Sequence, residues 1–215
     1  MRCPPPPGAK ARPACWPRWT TTTATASDQA CGVKAIKGAH ALGMQELSSI
    51  DFLPNAVYKP EVCIRTTLEA ARATGFPLEN ILFEVTEGER VEDGVWFTQI
   101  LRKYERAGLK AASDDFGAGF TGLKLLADFQ PDIIKIDMDL IRNIDRSRPR
   151  QAIVRGLIRL CGDMGIQVIA EGIETPAERD CLLDQGVRLM RGCLFASPAF
   201  GALAVVDETA WPAQA

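Results

Sequence analysis

The chain reads as an α/β protein of the TIM-like (β/α)-barrel kind, incomplete, with about six of a barrel's eight strands recognisable. Three observations carry that expectation. Short apolar runs alternate with helix-length stretches, the order that builds a parallel sheet covered by helices. The runs are apolar at nearly every position, as strands buried on both faces must be. Four of them finish in acidic residues: ILFEVTE (Ile81 to Glu87), LKAASDD (Leu109 to Asp115), DIIKID (Asp132 to Asp137) and QVIAEGIE (Gln167 to Glu174). In (β/α) barrels the working face lies at the C-terminal ends of the strands, so these carboxylates read as one collected site.

Along the chain, residues 1–27 stand apart. They hold a proline run, Pro4 to Pro7, and the stretch TTTTATA, Thr20 to Ala26, with neither helical nor strand period. They read as irregular or disordered. From Asp28 the texture is globular. Asp28 to Leu42 reads as a helix, and SIDFL (Ser49 to Leu53) as a short strand stopped by Pro54. A helix over Cys63 to Thr74 ends at Gly75, and strand 81–86 follows. Helix 94–107 closes at Gly108, before strand 109–113 and a helical stretch from Thr121 to Asp128. Strand 132–137, helix 149–164 closed by Gly165, strand 166–170, helix 176–185 and a strand near Val187 to Phe195 complete the order. Thr175, just before Pro176, reads as a helix N-cap. The expected division is a segment 1–27, a barrel domain 28–204 and a tail 205–215.

Composition narrows the function classes. The 215 residues are 47% hydrophobic, enough for a single core. With 25 basic and 27 acidic residues the net charge is −2, which gives no global attraction to nucleic acid polymers or anionic membranes. The seven cysteines have no CxxC pair or metal-like spacing and read as reduced thiols of a cytoplasmic protein. No apolar run reaches the roughly 18 residues of a membrane span, and no secretory leader is visible. One histidine, His40, is too few for His-rich zinc sites, and because it reads as an ordinary helix residue it leaves none for Ser-His-Asp catalysis.

GAGFTG (Gly117 to Gly122) imitates the G-x-G-x-x-G dinucleotide fingerprint, with Asp137 further on. Asp114 and Asp115 stand directly before it, where a pyrophosphate would meet two negative charges. The other acidic strand ends would also have no role in such a fold. A metal reading uses them. Glu84, Asp114, Asp115 and Glu171 have the oxygen chemistry that Mg²⁺ or Mn²⁺ prefers, and carboxylates packed without cations repel. Lys135, inside the strand IIKID, points to the same rim or the barrel interior, where an ammonium holds a phosphate oxygen or a water. A lone acid at a strand end is more often a helix cap or an arginine partner. Glu89, Glu92 and Asp93 read as a solvated helix start.

FEVTE (Phe83 to Glu87), SDDFGAGFTGL (Ser113 to Leu123), QPDIIKID (Gln130 to Asp137), VIAEGIET (Val168 to Thr175) and GCLFASP (Gly192 to Pro198) together resemble the EAL-domain family of cyclic di-GMP phosphodiesterases and their non-catalytic relatives. The resemblance spans about Asp28 to Ala204. It implies a TIM-like barrel with one antiparallel strand and hydrolysis of cyclic di-GMP to pGpG by two Mg²⁺ or Mn²⁺ ions, which clamp the attacking and leaving oxygens. It implies metal ligation by Asp51, Glu84, Asp114, Asp115 and Glu171. Lys135 would position or deprotonate the attacking water, with Asp137 nearby, and Glu171 would share the catalytic role. Glu87 would brace the loop Asp115 to Gly122, and that loop with the following helix implies a homodimer. Arg191 and Glu174 are candidate substrate contacts.

The pattern departs from the family in three places. The tripeptide Glu-Ala-Leu is absent, so the chain is expected to be an N-terminally truncated or degenerate member, missing two strands, one ligating Glu and one substrate-contacting Arg. Asp51 stands where the family has a ligating Asn. Arg191 replaces the usual Gln before Gly192 and would either bind phosphate or pair with the acidic cluster. Two unpaired sheet edges are expected where strands are missing. Two functions follow: a cyclic di-GMP phosphodiesterase with weakened or lost activity, or a non-catalytic module that binds cyclic di-GMP or a protein.

Overall fold

The computed structural model describes residues 21–53, 60–86, 94–117 and 122–212. Six strands form one parallel sheet in sequence order. They are β1 (Ser48–Asp51), β2 (Ile81–Thr86), β3 (Lys110–Phe116), β4 (Ile133–Ile136), β5 (Gln167–Ala170) and β6 (Leu189–Met190). The sheet curls into a half-barrel. Among the described residues β1 and β6 are its edges, as the count of six led one to expect. The helices are α1 (Thr21–Ala41), α2 (Pro60–Thr74), α3 (Gly94–Arg106), α4 (Gly122–Asp128), α5 (Met138–Ile141), α6 (Arg148–Met164) and α7 (Pro176–Asp184).

Side chains alternate across each strand, and that period sorts the molecule into an inner and an outer layer. Ile81, Phe83 and Val85 join Ile50 and Ala111 in an outer core under α1, α2 and α3, with Phe83 packed on Phe52 and Tyr104. Ile136 and Ala170 join Ile141, Val154 and Leu182 in a second outer core on the far side, under α6 and α7. Leu82, Ala112 and Ile133 are buried together with Leu47 and Ile169 as the inner layer. The next inward positions along the same strands are Ser49, Glu84, Asp114, Lys135 and Glu171. The fold therefore carries its polar residues directly above an apolar floor.

Several boundaries differ from the sequence reading. α1 begins at Thr21, so Thr21 to Ser27, expected to be irregular, are helical; residues 1–20 lie outside the described residues. The helix as a whole packs on α2 and β1. β3 runs three residues beyond its expected end. Its pairing with β4 goes from Ser113↔Ile134 to Phe116↔Ile136, so three residues of β3 oppose two of β4, and Asp115 takes a φ of 52°. This bulge inserts one residue next to the acidic pair. β6 is only two residues long: beyond it the chain turns against Ile173, whose amide donates to the Arg191 carbonyl and whose carbonyl accepts from the Leu194 amide. The tail beyond 204 packs back: the Asp207 amide donates to the Phe195 carbonyl, Arg179 holds the Ala210 carbonyl, and Trp211 stacks on Phe195 at 4.8 Å. Thr175 caps α7 as expected, within a full capping box with Glu178.

Asp28 ties α1 to the sheet by accepting the Leu53 amide at 3.3 Å. Burial pushes its carboxyl up to about 6, against the lowering effect of that bond and with a further push from Asp51. The folded state therefore holds a proton that the unfolded chain releases near 3.8, so stability falls as pH rises from about 4 through about 6. Asp28→Asn keeps the acceptor and removes the charge. It is expected to stabilise the protein at pH 7 and to lose that advantage towards pH 4, read as urea midpoints of variant and parent at both values. Parallel pH profiles for the two proteins would contradict this.

Candidate metal centre

The inward positions converge on one ammonium. Lys135 Nζ lies 2.9 Å from Glu84 Oε2, 2.9 Å from Asp114 Oδ1 and 3.0 Å from Glu171 Oε1, and its side chain is 3% exposed. Each partner comes from a different strand: Glu84 from β2, Asp114 from β3 and Glu171 from the end of β5. Burial acts to lower the Lys135 pKa, but Glu171, Glu84 and Asp114 outweigh it and hold the group above the usual lysine range. Lys135 is thus a fixed cation here, suited to positioning rather than to taking a proton. Ser49, two residues before Asp51 on the same face, donates to Glu84 Oε1 at 2.6 Å.

Asp51, at the end of β1, pairs in register with Glu84. Oxygens of Asp51, Glu84 and Asp114 lie within 4.8 Å of one another, the one such cluster among the described residues. Asp114 Oδ1 is buried, and the Lys135 ammonium at 2.9 Å is its ion-pair partner. Three carboxylate oxygens this close together fit a hard divalent cation, which takes oxygen ligands.

The remaining candidates divide. Asp115 stands outside this cluster. Burial pushes its carboxyl up to about 6, helped by Asp114, by Asp137 through charge and a hydrogen bond, and by Glu171. Asp137 also caps α5 by accepting the Asp139 amide at 2.8 Å. Arg191 takes the second of its two expected courses: its Nη1 lies 3.3 Å from Glu171 Oε1. Glu174 is exposed and bonded to Arg142 at 2.7 Å, which holds its carboxyl below the usual range. Glu87 lies outside the described residues, as do residues 118–121 of the Asp115 to Gly122 loop. Ser49 and Arg142 were not singled out by the sequence. Alternation could have found Ser49, since it shares a face with Asp51. Nothing in the local pattern marks Arg142.

Acidic side chains ringed about a lysine, at the C-terminal mouth of parallel strands, define a protein of the (β/α)-barrel kind with an acidic mouth. The chain belongs to the EAL-domain family, whose pattern its residues 26–198 match. It is 37% identical over 175 residues to the blue light- and temperature-regulated antirepressor BluF of Escherichia coli K12, covering 81% of this chain and 43% of that protein. It is 33% identical over 115 residues to the cyclic di-GMP phosphodiesterase PdeR of the same organism, covering 54% of this chain and 17% of that one. The chain thus spans less than half the length of these curated relatives. Among solved structures, a standalone versatile EAL protein from Vibrio cholerae O395, bound to cyclic di-GMP, superposes with a TM-score of 0.86 at 49% identity, over 90% of this chain and 81% of that one. Klebsiella pneumoniae BlrP1, as a calcium and cyclic di-GMP complex, gives 0.80 at 37% identity, over 85% and 46%. Manganese complexes of BlrP1 are also similar, so divalent ions accompany the nucleotide in these relatives.

Lys135→Met removes the cation and leaves buried carboxylates facing one another. Breaking a buried ion pair in this way costs about 3–5 kcal/mol. The expected result is a lower urea midpoint in chelator, recovered in part by Mn²⁺. A variant as stable as the parent in chelator would contradict the role given to the ammonium.

Proposed function

We propose that the chain is a cyclic di-GMP phosphodiesterase domain, opening the cyclic dinucleotide to linear pGpG. The observation that supports this most is Lys135 held among Glu84, Asp114 and Glu171, beside the oxygen cluster that Asp51 completes. Asp51, Glu84 and Asp114 would hold a divalent ion, with Mg²⁺ or Mn²⁺ the expected species. Such an ion lowers the pKa of bound water and neutralises a phosphoryl oxygen. Lys135 holds Glu84 and Asp114 in place, so the site is organised before substrate arrives. Glu171, at the rim and 14% exposed, is the carboxylate best placed to orient a water or to receive its proton as it adds to phosphorus, while the P–O3′ bond breaks and the departing O3′ takes a proton from solvent. Asp115 and Asp137, joined by a hydrogen bond, would steady the wall beside it.

Glu-Ala-Leu does not occur in the sequence, so the family's ligating Glu on that motif is not supplied by this chain. Hydrolysis by the chain alone is therefore expected to be slow, by orders of magnitude, because catalysis rests on a complete preorganised charge set. The functional unit is taken as residues 28–204. The free buried thiols Cys63 and Cys161 support a cytoplasmic setting. No described helix is long and apolar enough to cross a membrane.

Cyclic di-GMP hydrolysis with Mn²⁺, followed by chromatography of pGpG, is expected to exceed that of Glu171→Ala by at least tenfold. Turnover equal to that variant, with cyclic di-GMP still bound in calorimetry with Ca²⁺, would instead assign the chain to the non-catalytic alternative. A homodimer through the loop Asp115 to Gly122 and α4, where Leu123 is exposed, completes the proposal. Light scattering should give twice the chain mass, and a monomer at high concentration would refute the dimer.

A further inference from the structure

The cations at the mouth are not spread evenly over the acids. Asp51, Glu84 and Asp114 form the one compact oxygen cluster among the described residues. Glu171 is placed differently. Its Oε1 has two cationic partners, Lys135 Nζ at 3.0 Å from inside and Arg191 Nη1 at 3.3 Å from the rim. A divalent ion approaching that oxygen from solvent meets the guanidinium first. Arginine stays protonated at any working pH, so it cannot yield the position by losing a proton.

Arg191 is also anchored where it stands. Its amide donates to the Ala170 carbonyl, and its own carbonyl accepts from the Ile173 amide. Gly192 presses its backbone against Ile173, where an added Cβ would fall 2.0 Å from the carbonyl oxygen. The guanidinium therefore springs from a fixed point on the strand next to Glu171. Half of its side chain is exposed, so its removal leaves the core intact.

We propose that Arg191 occupies, as a built-in cation, the place of a second divalent ion at Glu171, so that this chain binds one ion, at Asp51, Glu84 and Asp114. This rests on the metal-dependent reading above. It makes Arg191 a residue that sets metal stoichiometry.

The test is Mn²⁺ titration of the full chain, counting bound ions from the loss of the free Mn²⁺ electron paramagnetic resonance signal. The parent is expected to bind one Mn²⁺ per chain. Arg191→Gln is expected to bind two, and Arg191→Gln combined with Glu171→Gln to return to one. Two ions in the parent, or one in Arg191→Gln, would overturn the proposal while leaving a metal site in place. No Mn²⁺ bound by any of the three would overturn the metal reading with it. Circular dichroism confirms that each variant is folded before counting.

Discussion

The ammonium of Lys135 is the contact on which the rest of the mouth depends. Three carboxylates from three strands come within 3.0 Å of it, in a place where solvent barely reaches. Like charges at such separations repel, and burial strengthens the repulsion. A protein can relieve it by protonating the acids or by placing a cation among them. Here a lysine from the strand between β3 and β5 does so. Its single charge is shared among Glu84, Asp114 and Glu171 and offsets part of their mutual repulsion.

The backbone serves that arrangement at a few special points. The bulge in β3 lets Asp114 remain inward while Asp115, next in sequence, swings to Asp137. Two adjacent acids thereby enter different local environments. Gly172, with a φ of 71°, brings the chain after Glu171 so close to Met138 that a Cβ would lie 2.3 Å from it. That contact fixes the end of β5 against the start of α5. The carboxylate of Glu171 is thus aimed by a turn that only a residue without a side chain adopts at low cost.

Much of this was legible before the structure. Strand period and apolar content placed β2 at its observed bounds, put Glu84 and Lys135 on strands, and set Asp114 just past the expected end of a third strand, at ends that meet. The parts that were not legible depend on tertiary contact. Thr21 to Ser27 have weak helix propensity, and the helix that includes them packs on β1 and α2. The bulge in β3 is set by pairing with β4, which no single-strand pattern reports. Asp137 looked like another site acid, yet it caps α5, a four-residue helix too short to leave a periodic signature. Arg191 was open between two partners, and only the turn at Gly192 decides for Glu171. The Arg142 to Glu174 pair joins residues 32 apart and has no local signal.

One outer core gathers α1 to α3 behind β1 to β3, another gathers α6 and α7 behind β4 to β6, and a smaller one of Phe116, Leu126, Ile134, Cys161 and Ile166 joins them across β3 and β4. The acids of the oxygen cluster belong to the first half, whereas Lys135, Glu171 and Arg191 belong to the second. The charge pairs at the mouth therefore span the same β3 to β4 seam that this small core spans from outside, and act with it as a clasp. Whatever cation sits among these acids sits on that seam, and its charge is felt by both halves of the sheet.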